Sequence, residues 1–191
     1  SWGGYAVANV LHYDYEIAGV ATVSGANSPM EMIIEQGQSM MGDFIHIQYP
    51  YLWLYQRVLF GKTASLNAVD AINQSDIPVL IIHGTEDELV TYDGSSIISN
   101  FDDISNPNVR TISQSETGRN GHDNLFRSNA VIDYIDEINI LYRKLYDRYE
   151  QDIPYEVKQD FYAGIDRTLA QDINKELMGE IQLFFLKSIG K

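Results

Sequence analysis

The segment Val79-Leu80-Ile81-Ile82-His83-Gly84 limits the possible folds more than any other part of the chain. Four apolar residues in a row, three of them β-branched, stand between Pro78 and a His-Gly pair. A run this short, closed off by turn formers, favours a strand over a buried helix. Because it is continuously apolar rather than alternating, it suits a strand covered on both faces, as in a parallel sheet. Pro78 precedes the run, where its missing N–H does no harm to the ladder. Two further runs of similar length, 17–24 (IAGVATVS) and 109–113 (VRTIS), read the same way.

Stretches with helical character lie between these strands. Residues 4–13 are compact and rich in small side chains, and 65–74 and 94–100 each precede a strand at short distance. Strand–helix–strand alternation implies right-handed crossovers and an α/β fold with mutually parallel neighbouring strands. Two regions depart from this plan. Residues 27–62 are dense in Met and aromatics, among them Met30, Met32, Met40, Met41, Phe44, Tyr49, Tyr51, Trp53, Tyr55 and Phe60. Residues 126–191 read as helical. Val131, Ile135, Ile138, Leu141, Tyr142 and Leu145 recur at helical spacing, a break falls near Ile153-Pro154, and Ile173, Leu177, Ile181, Phe184 and Phe185 share one side of a last helix.

At 191 residues and 45% hydrophobic content the chain can bury one sizeable core, and it reads as a single domain, 1–191. A net charge of −14 opposes binding to nucleic acid or to an anionic membrane surface. With no cysteine, disulfides, thiolate metal sites and Cys nucleophiles are excluded, which is compatible with a reducing cytoplasm. No apolar run reaches the ~18 residues of a membrane span. No metal-ligand spacing, Gly-rich phosphate loop or dinucleotide fingerprint is present, so neither metal nor cofactor is expected.

Three pieces carry chemistry. The chain opens Ser1-Trp2-Gly3-Gly4 and runs directly into a helix-forming stretch. The strand ending at His83-Gly84 is followed by Thr85-Glu86-Asp87-Glu88-Leu89-Val90. After the third strand comes Gly118-Arg119-Asn120-Gly121-His122-Asp123. A His in a Gly-flanked loop suits a general base, because its unperturbed pKa lies near neutrality. Of the other histidines, His12 reads as a surface residue, His46 lies in the aromatic stretch, and His83 ends a strand in a structural position.

Together these pieces resemble the C-terminal part of the α/β-hydrolase superfamily over roughly residues 1–124, in that family's order Ser…Asp…His. The resemblance implies a catalytic triad of Ser1, Asp87 and His122, with Glu86 and Glu88 as flanking residues. Ser1-Trp2-Gly3-Gly4 matches the downstream half of the nucleophile elbow. The backbone N–H of Trp2 would be an oxyanion donor, and Gly3 and Gly4 would allow the tight turn, a side chain at Gly3 being expected to strike neighbouring backbone. A second oxyanion donor and the strand before the elbow are expected outside this sequence. Asp87 has a plainer alternative as the cap of a following helix. Region 27–62 occupies the place of a helical lid, where Met30, Phe44, Tyr51 and Trp53 would line a substrate site, or would simply pack the lid onto the body.

The implied activity is that of a serine esterase or lipase-like enzyme working through an acyl-enzyme. A serine peptidase of the prolyl oligopeptidase or aminopeptidase type is the alternative, and Glu residues placed to hold a substrate amine would favour it. A non-catalytic pseudo-hydrolase or binding module is a third reading. An N-terminal nucleophile hydrolase, with Ser1 activated by its own amine, would require antiparallel sheets, which the alternation opposes. The expected partner is a small ester or peptide substrate, and the C-terminal helices offer either a pocket wall or a homo-oligomer surface.

Overall fold

A computed structural model describes residues 1–190. The fold is mixed α/β, with a three-stranded parallel sheet and seven α-helices among the described residues. Strands β1 (Val20–Val23), β2 (Val79–Gly84) and β3 (Val109–Gln114) lie in the order β1-β2-β3. Val20 pairs with Val79 and Val79 with Val109, and both ladders are parallel.

The chain forms two compact units, 1–122 with 180–191, and 123–179. In the first, every residue of central β2 is buried. Leu80, Ile81 and Ile82 are each almost wholly removed from water, and each such side chain contributes about 2 kcal/mol through burial. The expectation of strands covered on both faces fits β2. It does not fit β3, whose burial is only partial, because β3 ends the sheet order and its run carries Arg110, Thr111 and Ser113.

Helix α1 (Trp2–Asn9) continues into a 3-10 turn, Val10–His12, and packs on β1. Helix α4 (Ala68–Asn73) supplies Ala68, Val69, Ala71 and Ile72 to the core. Its cap is Asn67, whose side chain accepts from Asp70 N–H at 3.0 Å. The stretch expected to be helical at 94–100 forms a 3-10 turn instead, Ile98–Asp103, broken by non-helical backbone at Asn100. Side-chain hydroxyls compete for the backbone here: Ser96 Oγ accepts from Ser99 N–H, and Ser99 Oγ donates to Gly94 O.

Region 27–62 is a helical pair, α2 (Pro29–Met41) and α3 (Phe44–Phe60). Ser28 caps α2 through Glu31 N–H at 3.2 Å, and Pro29 occupies the first turn, where its missing N–H is harmless. Gly37 faces Ile45, and a side chain at Gly37 would collide with it, so these two residues set the close approach of the helices.

In the second unit, α5 (Asn129–Arg148) follows its Ser128 cap, and α6 (Tyr155–Ala163) follows Pro154. Tyr142, Phe161 and Tyr162 form an aromatic cluster between these helices, with centroids 5.3 to 6.2 Å apart. Helix α7 (Lys175–Ser188) starts in this unit, where Asn174 Oδ1 accepts from Leu177 N–H. Ile173, expected on that helix, precedes it and forms a bridge with Arg127. From Glu180 onward α7 belongs to the first unit, where Phe184 and Ser188 lie against Gly19 beside β1. Among the described residues no helix is long and apolar enough to cross a membrane.

Candidate active site

Because the strands are parallel, the loops that follow β2 and β3 leave the sheet at the same edge, where open α/β sheets place their ligands. Two backbone bonds hold these loops together: Thr85 N–H donates to Gln114 O at 2.9 Å, and Glu86 N–H to Asn120 O at 3.0 Å. The approach at Gly84 is so close that a Cβ there would collide with the Asn120 carbonyl. A glycine at the end of β2 is therefore what lets the His122 loop close onto the Asp87 loop.

Asp87 is buried, with its side chain out of water. Its Oδ1 accepts from Leu89 N–H at 3.0 Å and Val90 N–H at 2.9 Å, an Asx turn that fixes the carboxylate plane. Asp87 thus caps a turn, though no helix follows it directly. The His122 imidazole lies against the same carboxylate, with Nδ1 at 2.9 Å from Oδ1 and 2.8 Å from Oδ2. His83 Nε2 is 3.2 Å from Oδ2 on another side. Burial pushes the Asp87 carboxyl up, but hydrogen bonds from His83, Val90 N–H, His122 and Leu89 N–H outweigh it and hold the group well below the usual carboxylate range.

Ser1 stands at the opposite side of the His122 ring: its nitrogen is 3.4 Å from Nε2. The structure therefore brings Ser1, His122 and Asp87 together in that spatial order. Ser1 occupies the N-cap position of α1, and Trp2 is the first helical residue, with an N–H that has no acceptor within the helix. The helix N-terminus favours negative charge there. The expectation for Gly3 needs correction, since a Cβ at Gly3 would meet nothing within 4 Å. Gly4 is the crowded position, where a Cβ would lie 2.6 Å from Gly25 Cα and 2.8 Å from Val23 O, because α1 crosses the end of β1 there.

The flanking acids lie apart from this network. Glu86 and Glu88 are exposed, and Glu88 touches the site through a long 3.4 Å bond from His122 N–H. His12 is half-buried and bonds to Gln74 and to Asn67 O, while His46 is exposed on α3.

Two cavities flank α2. One, of about 430 Å³, is walled by Trp2, Tyr5, Pro29, Ile33, Gln56, Phe60 and Leu66 with Thr63 and Ala64. It opens at the residue next to Ser1 and is largely apolar. The other, of about 640 Å³, includes Met30, Glu31, Ile34, Glu35, His46 and Ser95. There the Glu35 carboxylate accepts from Thr91 N–H at 3.2 Å and Ser95 N–H at 2.6 Å. Burial pushes the Glu31 carboxyl up, against hydrogen bonds from Ser28 and Asn27.

Of the four residues expected to meet substrate, only Met30 lines either of these cavities. Phe44, Tyr51 and Trp53 are 55%, 75% and 48% exposed and line neither. Sequence reasoning passed over Tyr5, Ile33 and Leu66. Their wall forms only when α1, α2 and the chain before α4 converge, and no local pattern signals that. Among the described residues no group of three or more His, Asp or Glu is placed to hold a metal ion. Comparison with protein-family models, curated proteins and solved structures finds no match to this chain.

Proposed function

We propose that this chain carries the catalytic residues of a serine hydrolase with an α/β-hydrolase fold, acting on esters of modest size. The observation that carries the reading is the arrangement in space: Asp87 grips His122 Nδ1 at 2.8 to 2.9 Å, and Nε2 lies 3.4 Å from the nitrogen of Ser1, which places that residue beside the imidazole. In this mechanism Nε2 takes the Ser1 hydroxyl proton as Oγ attacks the ester carbonyl. The Trp2 N–H and the α1 N-terminus stabilise the oxyanion. Collapse breaks the bond to the alkoxy group, which leaves with the proton from Nε2. Water, deprotonated by the same imidazole, then attacks the acyl-enzyme and releases the acid. The apolar cavity beside Trp2 would hold the acyl chain, with the α2–α3 pair acting as a lid. The cysteine-free sequence suits work in a reducing cytoplasm.

One observation favours a peptidase as the second reading: the cavity on the other face of α2 carries Glu31 and Glu35, carboxylates suited to a substrate ammonium. A fluorophosphonate probe on the intact gene product tests the shared chemistry. Labelling lost in Ser1→Ala supports a serine hydrolase, and absence of labelling in the wild type leaves a binding module. Turnover of a short-chain aryl ester beside an aminoacyl anilide then separates esterase from peptidase.

A further inference from the structure

His83 is the one histidine of the Asp87 cluster to which the mechanism gives no part. Its side chain is wholly buried at the end of β2, and its Nε2 lies 2.8 Å from Val90 O and 3.2 Å from Asp87 Oδ2. A backbone carbonyl can only accept, so Nε2 carries the proton and donates it to Val90 O, with Asp87 Oδ2 alongside at 3.2 Å. Nδ1 is buried with no hydrogen-bond partner. The hydrogen-bond geometry therefore assigns His83 the Nε2–H tautomer.

The acceptor Oδ2 is the oxygen that lies 2.8 Å from His122 Nδ1. Asp87 thus accepts from His122 and from two backbone N–H groups, with the His83 N–H alongside Oδ2, and together these fix the orientation of the carboxylate. We propose that His83 is a positioning residue of this site: an imidazole whose Nε2–H, anchored on Val90 O, lies beside Oδ2, orients the Asp87 carboxylate and limits the negative charge it presents to His122. Without that donor the carboxylate would act on His122 alone, and the imidazolium form of His122 would be better stabilised. The other ionisable groups facing the cluster are the Ser1 amino group, 3.4 Å from His122 Nε2, Glu88, at His122 N–H, and Tyr92, whose ring meets His83 edge-on at 6.0 Å. None is altered in the test below.

The catalytic consequence rests on the hydrolase reading, but the electrostatic one does not, and it is read directly. Histidine ¹⁵N and ¹³C resonances of the intact gene product are followed from pH 5 to 9 in the wild type, His83→Phe and His83→Gln. Phe keeps the bulk and removes the donor; the Gln amide restores a donor near the Nε2 position. The wild-type His83 should show the Nε2–H tautomer pattern. The His122 midpoint should rise by about one pH unit in His83→Phe and return in His83→Gln. The acid limb of kcat/KM should move with it, with kcat lowered and KM unchanged. If His83→Phe does not fold, His83→Asn gives the same comparison, because its amide sits at the Nδ1 position and cannot reach Oδ2. A lone proton on His83 Nδ1, or one His122 midpoint in all variants, would overturn the inference. An inactive wild type would sink the hydrolase reading and leave this test standing.

Discussion

The loop after β2 and the helical pair α2–α3 lie in the same unit and are built in opposite ways. Between Gly84 and Val90 the chain spends its hydrogen bonds on one carboxylate, and Asp87, His83 and Val90 are buried. Along α3 most large side chains face outward: Tyr51, Tyr55, Val58 and Phe60 are all more than half exposed. The first region is pinned by the buried Asp87 carboxylate, whose hydrogen bonds would be costly to lose. The second is an apolar surface whose composition says little about which residues meet a ligand. The carboxylate–imidazole pair is fixed by backbone geometry, whereas the cavity walls depend on how elements converge.

The largest expected effects break the first region at its reacting groups. In the intact gene product, His122→Ala should lower ester turnover by several orders of magnitude. Asp87→Asn should cost about 10⁴-fold in kcat through the wrong imidazole tautomer. Glu86→Gln and Glu88→Gln should stay within about threefold, since neither carboxylate reaches the imidazole ring nitrogens. Comparable losses at Asp87 and Glu88 would remove the distinction between the buried acid and its exposed neighbours.

Next comes the joint between the two loops. Gly84→Ala should destabilise by about 1–3 kcal/mol, because the new methyl must displace the Asn120 carbonyl. By shifting the His122 loop about an ångström it should also cost roughly 10²-fold in turnover. Gly3→Ala, with open space around it, should change stability little. Urea unfolding of both variants checks the pair, and equal losses would mean that the crowding at Gly84 relaxes freely.

The difference between the regions also explains what the sequence made legible. The strands at Val79 and Val109, their parallel pairing, and the nearness of Asp87 to His122 could be read because each rests on a short local pattern at a strand end. His83 was placed as structural from its position alone. Its bond to Asp87 was not legible, since it depends on the loop curling back so that Val90 O and Oδ2 face the same nitrogen. The stretch 94–100 reads as helix, yet only its end enters a 3-10 turn, Ile98–Asp103, because hydroxyl-to-backbone bonds outweigh its apolar pattern. Gly3 was credited with the crowding that belongs to Gly4, because only the crossing of α1 over Gly25 decides between them.

A smaller effect sharpens the account of Asp87 itself. Its folded-state pKa lies below the unfolded value, so its bonds add stability that is complete above the unfolded carboxylate pKa, near 4. That stability is lost as pH falls through the acid range toward the folded pKa. Asp87→Asn should therefore flatten the dependence of unfolding free energy on pH below about 4, with the wild type losing stability faster. Parallel slopes for the two proteins would show that the network does not favour the carboxylate form.

The smallest expected effects belong to α3 and decide whether its exposed aromatics are more than surface. Phe44→Ser, Tyr51→Ser and Trp53→Ser each remove a side chain that lines neither cavity beside α2, and at Tyr51, three-quarters exposed, stability should change by less than about 0.5 kcal/mol. On the same geometry KM for a short-chain ester should stay within about twofold, because uniform binding is lost only where a contact exists. Ile33→Ala offers the contrast. It opens the wall of the apolar cavity next to Trp2 and should raise KM by about 10-fold for an acyl chain that fills it, with less effect on acetate esters. A rise in KM confined to Ile33 places recognition in the cavity wall. A tenfold rise at Tyr51 or Trp53 would instead mean that α3 swings over the bound substrate, and that its outward face becomes an inner wall during turnover.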